Sequence, residues 1–399
     1  MLPLYQAMQV CSEQLGGRFS VRIFESISGI DESQWDAISD VVPFYQRYQF
    51  LRVTEAIHST IQFRYVLLYE GEIIISALYV QLLDFSFKNL VSYTAESSAG
   101  IKSAFKRFIS KKDIKLLNLG NVFFTGDKGV ICKNEQLIIP FIPAVFRLIH
   151  QSFSGKKPGA FLVANIYLQD KDKCIDFYNN AFHPFNTEPD MFMAIDEHWK
   201  SFDGYMNALS SKYRVRAKKV LSVSSEITCR PLSAGDIVVN KTAMQSLYDN
   251  VLNHVAFNMA TLNVDFFEQM KLMYQDDCTV LGYFHKEELV AFACLFHVDA
   301  DTLHVHYIGL NYEINKTAKL YNRMLLDFVK FAIEQEKKTI HFGRTATEIK
   351  TTIGAIPKPL HAYLKMTNGF VNASLPYFLK RIKPAEYTVR NPFKEELAI

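Results

Sequence analysis

The chain contains no C-x-x-C pair, and its six cysteines, at positions 11, 132, 174, 229, 278 and 294, lie scattered without histidines spaced beside them. That excludes a zinc knuckle and a disulfide framework, and a reducing compartment fits best. No run of about 18 apolar residues occurs, and the opening "MLPLYQAMQVCSEQLGG" has no basic leader followed by an unbroken apolar stretch. Secretion and a transmembrane segment are therefore not expected, and the expected location is cytoplasmic. The formal charge of +3 is too small to argue for nucleic acid by itself, and DNA is not an expected partner. The G-x-S-x-G elbow, the P-loop and the H-E-x-x-H pair are missing as well.

What is present is the composition of a globular protein. Hydrophobic residues make up 49% and charged residues 21% of 399 positions, including 32 Phe and 20 Tyr. This is ample material for a core, and the length points to two domains. "YVLLYEGEIIISALYVQ", from Tyr65, and "TVLGYFHKEELVAFACLFH", from Thr279, each read as an apolar strand, a charged turn and a second apolar strand. "KLLNLGN" at 115–121 corresponds to "HVHYIGL" at 304–310. Helical segments follow at 134–153 and 317–337, then strands from Gly159 and from Lys338. The apolar stretch from Leu137 to Ile149 reads as a buried or substrate-facing helix. The repeat is of whole domains, 1–197 and 198–399, each of mixed α/β architecture.

The stretch from Leu303 to Tyr363 is the most informative. Leu303–Ile308 alternates as a strand should, and Leu320, Met324, Phe328, Phe331 and Ala332 recur at helical spacing between Lys319 and Lys337. The hinge between strand and helix holds Gly309, Asn311 and Asn315. Amides freed at such a junction, with the positive end of the helix dipole, suit phosphate oxygens. The first half places Gly120, Gly126 and Gly129 at the corresponding junction.

"FDGYMNALSSKYRVRAKKV", "ELVAFACLF", "HYIGLNYEINKTAKLYNRMLLDF" and "HFGRTATEIKTTIGAIPKPLHAYLK", together with "SQWDAISDVVPFYQRYQFLRVTE" in the first half, resemble the GNAT-fold acyltransferases, and within them the tandem-domain FemAB-like proteins associated with peptidoglycan biosynthesis. The resemblance implies tandem GNAT-like domains, each a mostly antiparallel sheet flanked by helices. It also implies transfer of an acyl group from acyl-CoA (acetyl-CoA), or in some members from aminoacyl-tRNA, to an amine of a small molecule or cell-envelope precursor. No long coiled-coil arm of the kind some tRNA-using members carry is evident, which ranks tRNA below acyl-CoA.

On that resemblance the donor lies along Tyr307, Ile308, Gly309 and Leu310, with its phosphates near Asn315, Lys316 and Lys319. The departure from the common pattern is that no glycine follows Gly309 in the pyrophosphate loop. Gly126, Lys128 and Gly129 of the first half offer an alternative flexible, partly basic anion loop. Lys350 is carried over as a polar stabiliser of the transition state or of phosphate, and Glu348 is the nearest candidate base. Tyr321 is a candidate acid for the leaving thiolate, and His306 a second candidate base. Arg344, with Arg214 and Arg216 from the basic run 212–219, is expected to bind an anionic substrate. His304, His306 and His341 fall on adjacent strands, but no Cys, Asp or Glu pattern completes a tetrahedral set, so no metal is expected. A catalytically silent ligand-binding protein on the same scaffold is the alternative outside enzymology.

Overall fold

The computed structural model describes residues 9–16, 18–86, 113–133, 141–167, 177, 179–255, 258–380 and 386–394. In chain order the strands are β1 (Gln9–Gly16), β2 (Phe19–Phe24), β3 (Gln62–Glu70), β4 (Ile73–Ser86), β5 (Asp113–Leu119), β6 (Val130–Cys132), β7 (Ala160–Tyr167), β8 (His183–Ala194), β9 (Ile227–Pro231), β10 (Cys278–His285), β11 (Glu288–His297), β12 (Thr302–Leu310), β13 (Thr339–His341) and β14 (Ile356–Met366). The helices are α1 (Glu32–Asp36), α2 (Tyr48–Ile57), α3 (Ile142–Ser152), α4 (Phe202–Ala208), α5 (Ser211–Val223), α6 (Ala234–Leu252), α7 (Asp265–Tyr274), α8 (Tyr312–Ala318), α9 (Leu320–Glu334), α10 (Thr347–Thr351) and α11 (Gly369–Leu379).

The chain forms two compact units that interleave in sequence. One comprises 1–187, 256–262 and 359–384, the other 188–255, 263–358 and 385–399. The passage at 187/188 precedes the division at 197/198 expected from the repeat, and most of β14 belongs to the first unit although it follows the second repeat.

In the first unit β1 to β5 pair in sequence order as an antiparallel meander. Strand β7 then adds parallel to β5, and β14 adds antiparallel to β7. A parallel neighbour demands a crossover, and α3 is in it, with Pro143 in its first turn, where a missing N–H costs nothing. Its apolar side, Val145, Phe146 and Ile149, packs with Val66, Val80, Leu117 and Phe161. The expected helix at 137–149 is thus observed from Ile142 onward, buried; positions 134–140 lie outside the described residues. Trp35 is held on the other side of the meander, 5.8 Å from Tyr65, its indole N–H donating to the Gln46 carbonyl at 2.8 Å.

The second unit repeats the plan. Its sheet runs β9, β10, β11, β12, β13 and the second part of β8, with β12 and β13 parallel and the other pairs antiparallel. The crossover helix α9 buries Leu320, Met324, Phe328 and Ala332 against Leu295, Leu303, Val305 and Ile340. Opposite, α6 and α7 place Leu247, Tyr248, Phe266 and Phe267 against Phe292, Phe296 and Tyr307.

One expectation is corrected here. The helix read from 317 to 337 is two helices, because Lys319 takes a left-handed conformation, φ 49°, that ends α8 and begins α9. Gly309 is likewise not a hinge. It lies within β12, where a Cβ would stand 2.2 Å from Phe292 Cε1 and 2.8 Å from Leu247 Cβ. Glycine is there because two elements approach too closely for any side chain.

Candidate active site

The second unit opens where its two parallel strands part. β12 and β13 are paired only at Thr302 with Thr339, Leu303 with Ile340 and His304 with His341. Beyond this the chain turns to β8, with the Phe342 amide donating to Met191 O at 2.8 Å and the Met191 amide to Gly343 O at 3.1 Å. β12 meanwhile continues along β11 to Leu310. The wedge so formed leaves His306, Tyr307 and Ile308 only half-buried. A bulge, Cys294 facing Tyr307 but Leu295 facing Val305, makes His306 an extra residue in the strand and re-aims its ring.

The apex of the wedge is lined by rings and charges. Phe192, His341 and His304 stack across three strands, with centroids 4.2 Å and then 4.0 Å apart, and His306 lies 5.4 Å from His304. Beside the stack Asp190 is fully buried, its Oδ2 3.4 Å from His341 Nε2 and its Oδ1 3.6 Å from Arg344 Nε. Burial holds His304 and His306 well below the usual histidine range, with the neighbouring rings adding to the effect, so both are neutral at pH 7. Lys350 is buried as well. Its ammonium donates to the carbonyls of Phe342 (2.8 Å) and Arg344 (2.7 Å), with Gly343 O at 3.5 Å. Desolvation brings Lys350 down to about 7, against the pull of Asp190 and Glu188.

On the helical side of the wedge the expected phosphate cradle is partly filled by the protein. Asn311 Oδ1 accepts the amides of Glu313 and Ile314, capping α8, and Asn315 Oδ1 accepts the Tyr321 amide at 2.8 Å, capping α9. Lys316 pairs with Glu313 at 2.7 Å. Next to these caps is a cavity of about 330 Å³ that Arg216, Lys219, Lys319, Asn315, Asn322 and Tyr213 line, with Tyr205 and Ile353 among its walls. Its size suits a small-molecule group. Helix α5 carries Lys212, Arg214, Arg216, Lys218 and Lys219, none of which makes an ion pair among the described residues. Of them Arg216 and Lys219 reach the cavity; Arg214 does not line it.

Two expected residues stand apart from this group. Glu348 is exposed and ion-paired with Arg390, whose Nε is 3.0 Å from Oε1. Tyr321, second in α9, has its phenol raised by burial and so keeps its proton. The sequence reading missed Asp190 and Glu188 altogether. The one trace is that an acid two residues ahead of Phe192 in an alternating strand shares its face.

The corresponding junction of the first unit is closed on itself. Asp127 Oδ1 accepts the Gly129 amide at 2.8 Å and Gln46 Nε2 at 2.7 Å, Oδ2 accepts the Asn121 amide at 3.1 Å, and Tyr79 donates its hydroxyl to the same carboxylate. The loop of Gly126, Lys128 and Gly129 thus turns amides toward its own carboxylate, as it would toward a bound anion. Gly129 packs against Gly120 so closely that a Cβ would stand 2.2 Å from the Gly120 nitrogen. Among the described residues no group of three or more His, Cys, Asp or Glu is placed to hold a metal ion.

A sheet parted between two parallel strands beside a crossover helix, as in the second unit, defines a GNAT-like acyltransferase scaffold, and the first unit repeats its strand plan with the junction closed. The family model described as FemAB-like, peptidoglycan biosynthesis and recognition, matches residues 177–398, and the chain belongs to that family. Among solved structures, FemX superposes with a TM-score of 0.54 at 10% identity, covering 87% of this chain and 98% of its own. A tandem GNAT protein from the clavulanic acid biosynthesis pathway gives 0.45 at 8% identity, covering 84% and 89%. L-PGS from Bacillus licheniformis gives 0.45 at 9%, covering 84% and 93%. No curated protein is similar enough in sequence to match.

Proposed function

We propose that the protein is an N-acyltransferase that moves an acyl group from a phosphate-bearing carrier to an amine of a cell-envelope precursor. The observation that supports it most is the wedge beyond His304 and His341. An extended donor arm laid against Tyr307 to Leu310 uses backbone groups that no β13 residue pairs. Its carbonyl then reaches the apex, and its anionic end the cavity of Arg216, Lys219 and Lys319. Lys350 acts through Phe342 and Arg344, keeping that segment away from β12.

Acyl-CoA is the donor in the first reading, since a pantetheine arm has the length and amide groups to line a strand. A second reading, aminoacyl-tRNA, draws on two features: the asparagine caps that occupy the crossover amides, and the five cations of α5, which make no ion pair among the described residues and suit a longer polyanion. The test is transfer from labelled acetyl-CoA and from aminoacyl-tRNA to amine-bearing peptidoglycan precursors, with the product mass recorded. A conjugate with one donor identifies the carrier. Donor binding without any conjugate would leave a silent binding protein in place of an enzyme.

A further inference from the structure

Asp190 is a fully buried carboxylate in the second unit. A carboxylate with no exposed surface loses its hydration and is retained only where charge or hydrogen bonds replace it. Its neighbours are arranged around one point, the apex where β12 leaves β13. His341 Nε2 is 3.4 Å from Oδ2 and Arg344 Nε 3.6 Å from Oδ1, while Lys350 and Glu188 act on the same group of charges. The His341 ring cannot turn freely, because Phe192 lies on one side at 4.2 Å and 5° and His304 on the other at 4.0 Å and 17°. A fixed imidazole with a buried carboxylate at one nitrogen is the arrangement that orients a general base.

We propose that Asp190 and His341 work as a unit at the wedge apex, with His341 accepting the proton of the attacking amine and Asp190 as the positioning residue that orients the ring. The inference rests on the acyltransferase reading of this site. Nε2 faces Asp190, so Nδ1 receives the proton. The amine nitrogen forms a bond to the donor carbonyl carbon and gives its proton to His341. The bond from that carbon to the carrier sulfur or oxygen then breaks, and the proton passes from the imidazolium to the leaving atom. Amine and acyl carrier become amide and free carrier, with no other reactant. His304 and His306, neutral through burial, put no positive charge beside the ring.

The experiment measures transfer by the full chain with both donors, for wild type, Asp190→Asn, His341→Ala and His341→Gln. The pH profile is recorded against the charged and titratable groups around the apex: Asp190 and Glu188 from β8, His304 and His306 from β12, Arg344 after β13, and Lys350 from α10. Removing a positioned base costs roughly 100-fold or more. Both alanine and asparagine variants are expected to lose kcat by about that factor with donor KM unchanged, and added imidazole to restore part of the His341→Ala rate. Donor affinity and melting temperature, measured in parallel, separate this from misfolding. A His341→Ala rate within twofold of wild type overturns the pair, as does a loss of rate that follows lost donor affinity and is not rescued by imidazole. Wild type that transfers from neither donor overturns the acyltransferase reading and the pair together, whereas an active wild type with indifferent variants removes only the pair.

Discussion

The Lys350 ammonium lies 2.7 Å from the Arg344 carbonyl oxygen, six residues back along the chain, and this contact bends the exit of β13 into a closed loop. The charge that makes the contact is itself destabilised by burial, because Lys350 titrates at about 7 in the folded protein against 10.5 when free. The unfolded chain therefore binds more protons between those values, and stability from this group rises with pH across that window. Below about 7 the burial cost is fully present. Relative to Lys350→Met, wild type is expected to gain in melting temperature between pH 7 and 10. A constant difference across that range would mean the lysine is not buried as described. At fixed pH, Lys350→Met should lower kcat more than donor affinity, since the lysine acts on the wedge rather than on the carrier.

Lys319 joins strain and charge in one residue. Its φ of 49° costs a residue with a Cβ about 1 kcal/mol, which glycine avoids, and the residue lines the cavity. Lys319→Gly should thus be more stable by up to about that amount while raising donor KM several-fold, and Lys319→Ala should raise KM without the gain in stability. Both KM effects should shrink at high salt, where exposed charges are screened. Urea unfolding and steady-state kinetics at two ionic strengths distinguish them; a KM that does not change in either variant would take the cavity out of donor binding.

Gly309 has a purely steric assignment. Alanine there would drive a methyl into Phe292 and Leu247, and overpacking of this kind costs about 1–3 kcal/mol. Gly309→Ala is expected to unfold at lower urea, and Gly309→Ala with Phe292→Leu to recover part of the loss, because the ring edge is the nearest obstacle. Failure of the double variant to recover anything would point to Leu247 or to the backbone as the limiting contact.

How much of this was legible beforehand follows from range in sequence. The hairpins at Tyr65 and Thr279, the central strands and the basic helix α5 are each declared by local alternation or helical spacing, and the structure has them. A donor position along Tyr307 to Leu310 was expected only because Gly309 and its surroundings carried a family resemblance, and there glycine serves packing and asparagines fill the amides that looked open. The Asp190 cluster was not legible. Its members come from β8, β12, β13 and α10, so only the pairing of β13 with β8 brings them together, and no spacing along the chain encodes that. The exchange of β14 into the first unit is invisible for the same reason: its alternation says strand, not which sheet receives it.

Asp127 offers the clearest test of the first unit, because its carboxylate replaces an external anion with an internal one. Burial raises it to about 6, against hydrogen bonds from Gln46, Gly129 and Asn121 that favour the charged form. The folded chain therefore holds the proton more tightly than the unfolded one, whose Asp titrates near 3.8, and the sign follows: stability from this group is greatest in acid and declines as pH rises from about 4 to about 6. Asp127→Asn removes that slope. The asparagine oxygen can still accept the Asn121 amide, and Gln46, whose Oε1 has no hydrogen-bond partner among the described residues, can turn that oxygen to the new N–H, while the Gly129 amide loses its acceptor. The variant should consequently fall furthest behind wild type near pH 4 and close the gap as pH rises to 7. Asp127→Ala behaves differently, since it strands several buried donors at about 1–3 kcal/mol each, and a total loss on the order of 3–5 kcal/mol is expected at every pH. Urea midpoints for the three proteins from pH 4 to 7 decide the matter, and an asparagine variant as damaged as the alanine one would show that the loop requires the negative charge itself.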